Sequence, residues 1–238
     1  MTSTTHIPSE LSSLNRAQTF DAFRRWGYLQ AQLDPLGQYL QPEVLPELNI
    51  QNEFAAEARR VYCGTIGAEF MHIPSRERRE WLAERLEASA PAVDQQHILQ
   101  LLTRAEVFEQ VIQSRYLGTK RFSLEGVTAL IPFLDELLNR AAELGAQRSI
   151  MGMSHRGRLS VMVNTFGKSP VDIFGKFEDV DPRSILGGGD VKYHVGATGE
   201  FHTRNCATVS LHLVSNPSHL EAVDPVAKIG RASCRERV

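Results

Sequence analysis

Three basic side chains in four positions, His155, Arg156 and Arg158, interrupt two apolar stretches in RSIMGMSHRGRLSVMVNTF. The run before them has strand character, and Leu159, Met162, Val163 and Phe166 after them share one helical face, with Gly167 as its stop. A helix N-terminus presents unpaired N–H groups and a partial positive charge that favours an anion by about 0.3–1 kcal/mol, and an arginine there adds charge-assisted hydrogen bonds. The chemistry on offer is anion binding. Spacing alone supports a packing role equally: one arginine pairs with a carboxylate at the core edge, and His155 is a satisfied interior histidine.

A second strand-to-helix turn has the same form. Val209, Leu211 and Leu213 alternate as a strand, Asn216 and Pro217 turn the chain, and Ser218 with Glu221 forms an S-x-x-E capping box opening a helix. His155 and Ser218 thus stand in equivalent places, beyond the carboxyl ends of strands, where open parallel sheets bind ligands against helix N-termini.

Other signatures fail. VNTFGKSP ends like a phosphate-binding loop, but the leading glycine would fall on Met162, so Gly167, Lys168 and Ser169 read as a helix stop followed by an N-cap. There is no G-x-G-x-x-G. His72, His97, His202 and His212 lack metal or triad spacing, and Cys63, Cys206 and Cys234 form no CxxC, which argues against a disulfide framework and a structural zinc site. Cys63 and Cys206 read as inert thiols.

The elements that position these turns follow from pattern. Residues 1–13 read as a flexible polar tail with no secretory h-region, and residues 14–120 as a helical region. In it Phe20, Phe23, Trp26 and Leu33 recur at near-helical spacing before a turn at DPLG, SRERREWLAERLEAS starts after Pro74, and a further helix carries Ile98, Leu101, Leu102, Ala105 and Val111 on one stripe. From Phe122 helix and strand alternate, which predicts a parallel sheet with crossover helices. Ser123 is the predicted N-cap of a helix with Val127, Leu130, Ile131, Leu134, Leu138 and Ala141 on its apolar stripe, ended by Gly145; RSIMGM is a strand; Ser169 caps a helix at SPVDIF; and VKYHVG is a strand after the glycine-rich loop LGGGD.

The fold class is therefore α/β, a helical N-terminal region followed by a partial parallel-sheet domain over residues 121–228. The 238 residues are 42% hydrophobic and 23% charged with a formal net charge of -2, a globular composition without a basic nucleic-acid footprint. No apolar run approaches the roughly 20 residues of a membrane span. Residues 229–238, IGRASCRERV, match what a short-read library adaptor encodes when translated in frame, and are expected to be an assembly artefact.

At RYLGTKRFSLEG, MGMSHRGRLSVMVN, GGGDVKYHVGATG and SNPSHLEAVDPV the chain resembles, in the right order, the E1 component of 2-oxoglutarate dehydrogenase, a thiamine diphosphate enzyme. Less sharply, the likeness extends back through FRRWGYLQAQLDPLG and YCGTIGAEFMHIPSRERREWLAERLE. The resemblance implies a truncated thiamine diphosphate-binding domain in which Arg156 anchors the cofactor diphosphate and Ser218 and Leu220 line the cofactor. His155 and His194, the implied catalytic histidines, face the 2-oxo acid with Ser218, and Phe122 adds an apolar wall. Imidazole and hydroxyl donors suit the distal carboxylate of a dicarboxylic substrate.

The same resemblance implies decarboxylation of 2-oxoglutarate, transfer of the succinyl group to the lipoyl domain of dihydrolipoyl succinyltransferase E2, a homodimer, and a bacterial cytoplasmic setting rather than the mitochondrial matrix. Magnesium is implied as well, but Gly189-Asp190 with Asn216 only imitates the metal motif: Val191 stands where its second glycine belongs. No metal ligand is expected within the chain, the true motif is expected beyond Lys228, and the chain alone is expected to be inactive and poorly soluble. Two readings stay open beside this one: the sister E1 acting on 2-oxoadipate, and a non-catalytic anion-binding protein.

Overall fold

The computed structural model describes residues 9–38, 44–89, 92–178, 191–215 and 219–235, with side chains for all of these except 9–14 and 229–235. They form two compact units, Met1–Ala92 and Val93–Val238.

The first unit is helical, built from α1 (Ser9–Trp26), α2 (Ala55–Tyr62) and α3 (Arg76–Glu87). Its core gathers Phe20, Phe23, Leu48, Ala58, Tyr62 and Phe70. Trp26 and Leu33, predicted on the same stripe as Phe20 and Phe23, are instead 42% and 52% exposed. Trp26 is the last residue of α1, and Leu33 lies beyond the 3-10 turn at Gly27–Gln30 in non-helical chain, so the helical stripe does not extend to it. The DPLG turn forms as expected, with Gly37 N–H donating to the Asp34 carbonyl at 3.1 Å. Ser75 caps α3, accepting from Arg78 N–H at 3.3 Å. Behind these helices Tyr62 Oη donates to Glu87 Oε1 at 2.6 Å, and Arg24 grips the same carboxylate through Nε at 2.7 Å and Nη2 at 2.9 Å.

In the second unit α4 (Gln95–Arg115) starts at an Asp94 cap that accepts from His97 N–H at 3.0 Å. Its buried line runs Ala105, Phe108, Glu109, Ile112, so a carboxylate sits on the apolar stripe. α4 packs on α5 (Leu130–Glu143) and α6 (Arg158–Asn164); then come α7 (Pro170–Glu178) and the terminal α8 (Leu220–Arg235), which packs on the first strand. The backbone of α8 continues to Arg235, into the residues set aside as adaptor-derived.

The α/β class holds, but the sheet is mixed. β1 (Arg148–Met151), β2 (Ala197–His202) and β3 (Thr208–Leu213) are ordered β1-β3-β2, with β1 and β3 parallel and β2 antiparallel to β3. The link from β2 to β3 is too short for a crossover, so those strands pair as a hairpin. Val209, Leu211 and Leu213 of β3 are buried and alternate with exposed residues, each stabilising the unit by about 1.5–3 kcal/mol.

Two expected elements differ. VKYHVG is a 3-10 turn at Val191–Tyr193 and not a strand: neighbouring Lys192 and Tyr193 are both buried, which the pleat of a half-buried strand forbids. The helix expected from Ser123 begins at Leu130 instead, because Gly126 takes a left-handed conformation (φ 83°) and Val127 N–H closes a turn on the Leu124 carbonyl at 2.9 Å. Ser123 Oγ caps that turn, accepting from Glu125 N–H at 2.9 Å.

Candidate functional site

The register of the sheet builds one end of the second unit. Met151 pairs with Leu213, and Leu213 pairs with Ala197, so the carboxyl ends of β1 and β3 and the start of β2 lie in one row. Past that row leave the turns carrying Ser154, His155 and Arg156, the segment carrying Tyr193 and His194, and the chain toward Ser218.

Arg158 occupies the space beneath this row. Its side chain is wholly buried; Nη1 donates to the Met153 carbonyl at 3.0 Å, Nε and Nη2 donate to the Val195 carbonyl at 3.1 and 3.0 Å, and Nη2 also donates to the Val214 carbonyl. Burial pushes its pKa down to about 10, which leaves it a cation at neutral pH. The expectation that one arginine of the turn would pair with a carboxylate is thus replaced by pairing with three backbone oxygens.

Arg156 points the other way. It is exposed, and its one hydrogen bond among the described residues runs from Nη2 to the Glu125 carbonyl at 3.0 Å. Between the two arginines Gly157 is in the left-handed region (φ 71°) and donates its N–H to the Phe122 carbonyl at 3.0 Å. A Cβ added there would come within 2.4 Å of Leu124 Cδ1, so the turn and the 121–125 segment approach as closely as they do only with glycine.

That approach brings His155 onto Phe122. Their ring centroids are 3.9 Å apart, and Phe122 meets Tyr193 edge-on at 5.0 Å with an interplanar angle of 88°. Burial pushes the Tyr193 phenol up to about 12 against the lowering effect of its hydrogen bond with the Phe122 backbone. Lys120 Nζ lies 5.2 Å from the centroid of the Phe122 ring. The predicted residues Phe122 and His155 are therefore in contact, and Tyr193, which precedes His194 in the chain, packs on the same Phe122 ring. Leu220 stands half-exposed at the start of α8, and Ser218 lies outside the described residues, as does the LGGGD loop.

Glu109 holds this wall from behind. Its carboxylate is buried, accepts Leu124 N–H at 3.1 Å, and faces Arg121 Nη1 at 3.5 Å, while Arg121 also donates to the Glu109 carbonyl at 3.2 Å. Desolvation pushes its pKa above the usual carboxylate value, opposed by Leu124 N–H, Ser123 and Arg121. Neither Glu109 nor Tyr193 stood out by motif. The available signal was positional: Glu109 falls four residues after Ala105, on the apolar stripe of α4.

His97 pairs with Asp135 at 3.0 Å and His202 with Thr208 at 3.2 Å, while burial raises the Cys63 thiol. Among the described residues no group of three or more His, Cys, Asp or Glu side chains could hold a metal ion, and no helix is long and apolar enough to cross a membrane.

What the site can do chemically is limited but specific. It offers an exposed guanidinium for an anionic group, an imidazole oriented by an aromatic face, and an apolar wall beside it.

No family model matches the sequence. Among curated proteins the chain is similar to the 2-oxoglutarate dehydrogenase E1 component of Cupriavidus necator, 40% identical over 251 aligned positions that cover 92% of this chain and 26% of that protein. It is 38% identical to the E1 component of Azotobacter vinelandii over 95% of this chain and 27% of the relative, and 44% identical to a 2-oxoglutarate dehydrogenase E1/E2 component of Corynebacterium glutamicum over 73% and 15%. The chain thus spans about a quarter of the length of the E1 relatives it covers best. By this likeness, and by the site motifs it contains, the chain belongs to the 2-oxoglutarate dehydrogenase E1 family.

Proposed function

We propose that this chain is the part of a 2-oxoglutarate dehydrogenase E1 component that forms one side of its cofactor and substrate site. The carrying observation is the convergence of Phe122, His155 and the Tyr193–His194 segment at one end of the sheet, with the exposed Arg156 beside them. The intact enzyme decarboxylates 2-oxoglutarate and passes the succinyl group to the lipoyl domain of dihydrolipoyl succinyltransferase E2, as a homodimer in a bacterial cytoplasm.

Thiamine diphosphate, when bound, supplies the electron sink for loss of CO2. The exposed Arg156 fits that group with donors for a diphosphate oxygen, and the family resemblance assigns Ser218 and Leu220 to its lining. His155, its plane set by Phe122, and His194 orient the 2-oxo acid and hold or move a proton at a ring nitrogen, while Phe122 and Tyr193 exclude water on that side.

The test uses the intact enzyme carrying this stretch. Arg156→Ala should weaken thiamine diphosphate binding about 10-fold or more, the loss of one charge-assisted contact, measured by calorimetry. His155→Ala should lower kcat for 2-oxoglutarate about 100-fold or more. Faster turnover of 2-oxoadipate would reassign the substrate, and anion binding without turnover of either acid would leave a non-catalytic role.

A further inference from the structure

We propose that Arg158 is the positioning residue of the site: one guanidinium fixes, through the carbonyls of Met153, Val195 and Val214, the three chain segments that carry His155, His194 and Ser215. The geometry is unusual in what it joins. Met151, Leu213 and Ala197 share one row of the sheet, and each carbonyl that Arg158 takes lies one or two residues beyond that row. Three chain segments leave the sheet there; beyond the Val214 N–H bond to the Met151 carbonyl at 3.0 Å, no backbone hydrogen bond among the described residues joins them.

A guanidinium suits the task because its N–H donors lie in one rigid plane and reach three separate oxygens at once. Lysine would bring the same charge with three donors on a single atom, which cannot span three carbonyls in different directions. Without the guanidinium the buried Val214 carbonyl would lose its Arg158 donor, at about the cost of a lost buried hydrogen bond. His155 lies two residues after Met153 and His194 directly before Val195, so a shift of the clamp moves both imidazoles in concert. Arg156, one turn position away and exposed, has no part in this.

The inference rests on the proposed function only for what the turns bind; the clamp itself is tested without ligand. Hydrogen exchange of the 238-residue chain reports on Arg158 N–H, His194 N–H and Val214 N–H, which bond to His155, Val191 and Met151 carbonyls respectively. In the unaltered protein these three amides and the Arg158 Nε–H should exchange with one common opening equilibrium. In Arg158→Lys all three should exchange on the order of 10-fold faster together, and the imidazole C–H resonances of both His155 and His194 should shift, while amides of α2 and α3 keep their rates.

A lowered melting temperature with both histidine resonances unmoved would reduce Arg158 to a structural residue and overturn the proposal. So would amides that open independently in the unaltered chain, a measurement that stands even if the variant fails to fold. Failure of the intact enzyme carrying this stretch to bind thiamine diphosphate would instead defeat the proposed function and leave the shared opening intact.

Discussion

The imidazole of His155 rests on the ring of Phe122, centroids 3.9 Å apart and planes inclined by 38°. Neither residue is held by the other alone. Phe122 is tied through its carbonyl to Gly157 N–H and packs edge-on against Tyr193, and the Glu109 carboxylate takes Leu124 N–H two residues on. The contact is the meeting point of two turns that approach from opposite sides of the site.

Removing the aromatic face should therefore change His155 before it changes the fold. Such a pair contributes about 0.5–1.5 kcal/mol beyond its buried area. In Phe122→Leu the His155 imidazole C–H resonances should move as the ring current disappears, with stability lowered by about 1 kcal/mol. Unmoved resonances in a folded variant would mean that the rings do not stack in solution.

Glu109 should leave a signature in the dependence of stability on pH. Burial raises its folded pKa above the unfolded value, so the native state holds the proton longer. The stability this carboxyl contributes is complete below its ordinary value of about 4.3 and is lost as pH rises through the raised value. Glu109→Gln cannot ionise, so the urea midpoint of the native chain should fall relative to the variant as pH increases upward from that point, and the gap should then level off. Parallel profiles would exclude a perturbed carboxyl here. Glu109→Ala, by contrast, strands the buried Leu124 N–H and should cost about 1–3 kcal/mol.

Gly157→Ala combines a left-handed backbone with a Cβ only 2.4 Å from Leu124 Cδ1. A loss of about 2 kcal/mol or more is expected from conformation and overpacking together, read as a drop in denaturation midpoint. The loosened contact should also release His155 from Phe122, so its resonances should shift in the same sense as in Phe122→Leu.

In the first unit Tyr62→Phe removes the hydroxyl that donates to Glu87 but leaves the bidentate Arg24 grip. The expected cost is about 1.5–3 kcal/mol, that of a hydrogen bond to a charged group. Glu87→Ala should cost more, because it leaves both the buried Tyr62 hydroxyl and the half-buried Arg24 without their acceptor; a double-mutant cycle measures the coupling.

Much was legible in the sequence because it is local. The alternation of Val209, Leu211 and Leu213 requires one buried face of a strand, Ser169 sits where a helix needs a capping oxygen, and the SHRGR and NPSHLE turns carry the family likeness by residue order alone. What only the tertiary structure decided depends on long-range register. Whether Arg156 or Arg158 enters the core turns on where α6 begins relative to the paired ends of β1, β3 and β2, and the spacing of two arginines contains no record of that row. The hairpin that makes the sheet mixed, the left-handed Gly126 that delays α5, and the carboxylate of Glu109 behind Phe122 have the same origin. Each is settled by which backbone groups remain unpaired once distant segments have packed, and burial makes that choice costly to leave unmet.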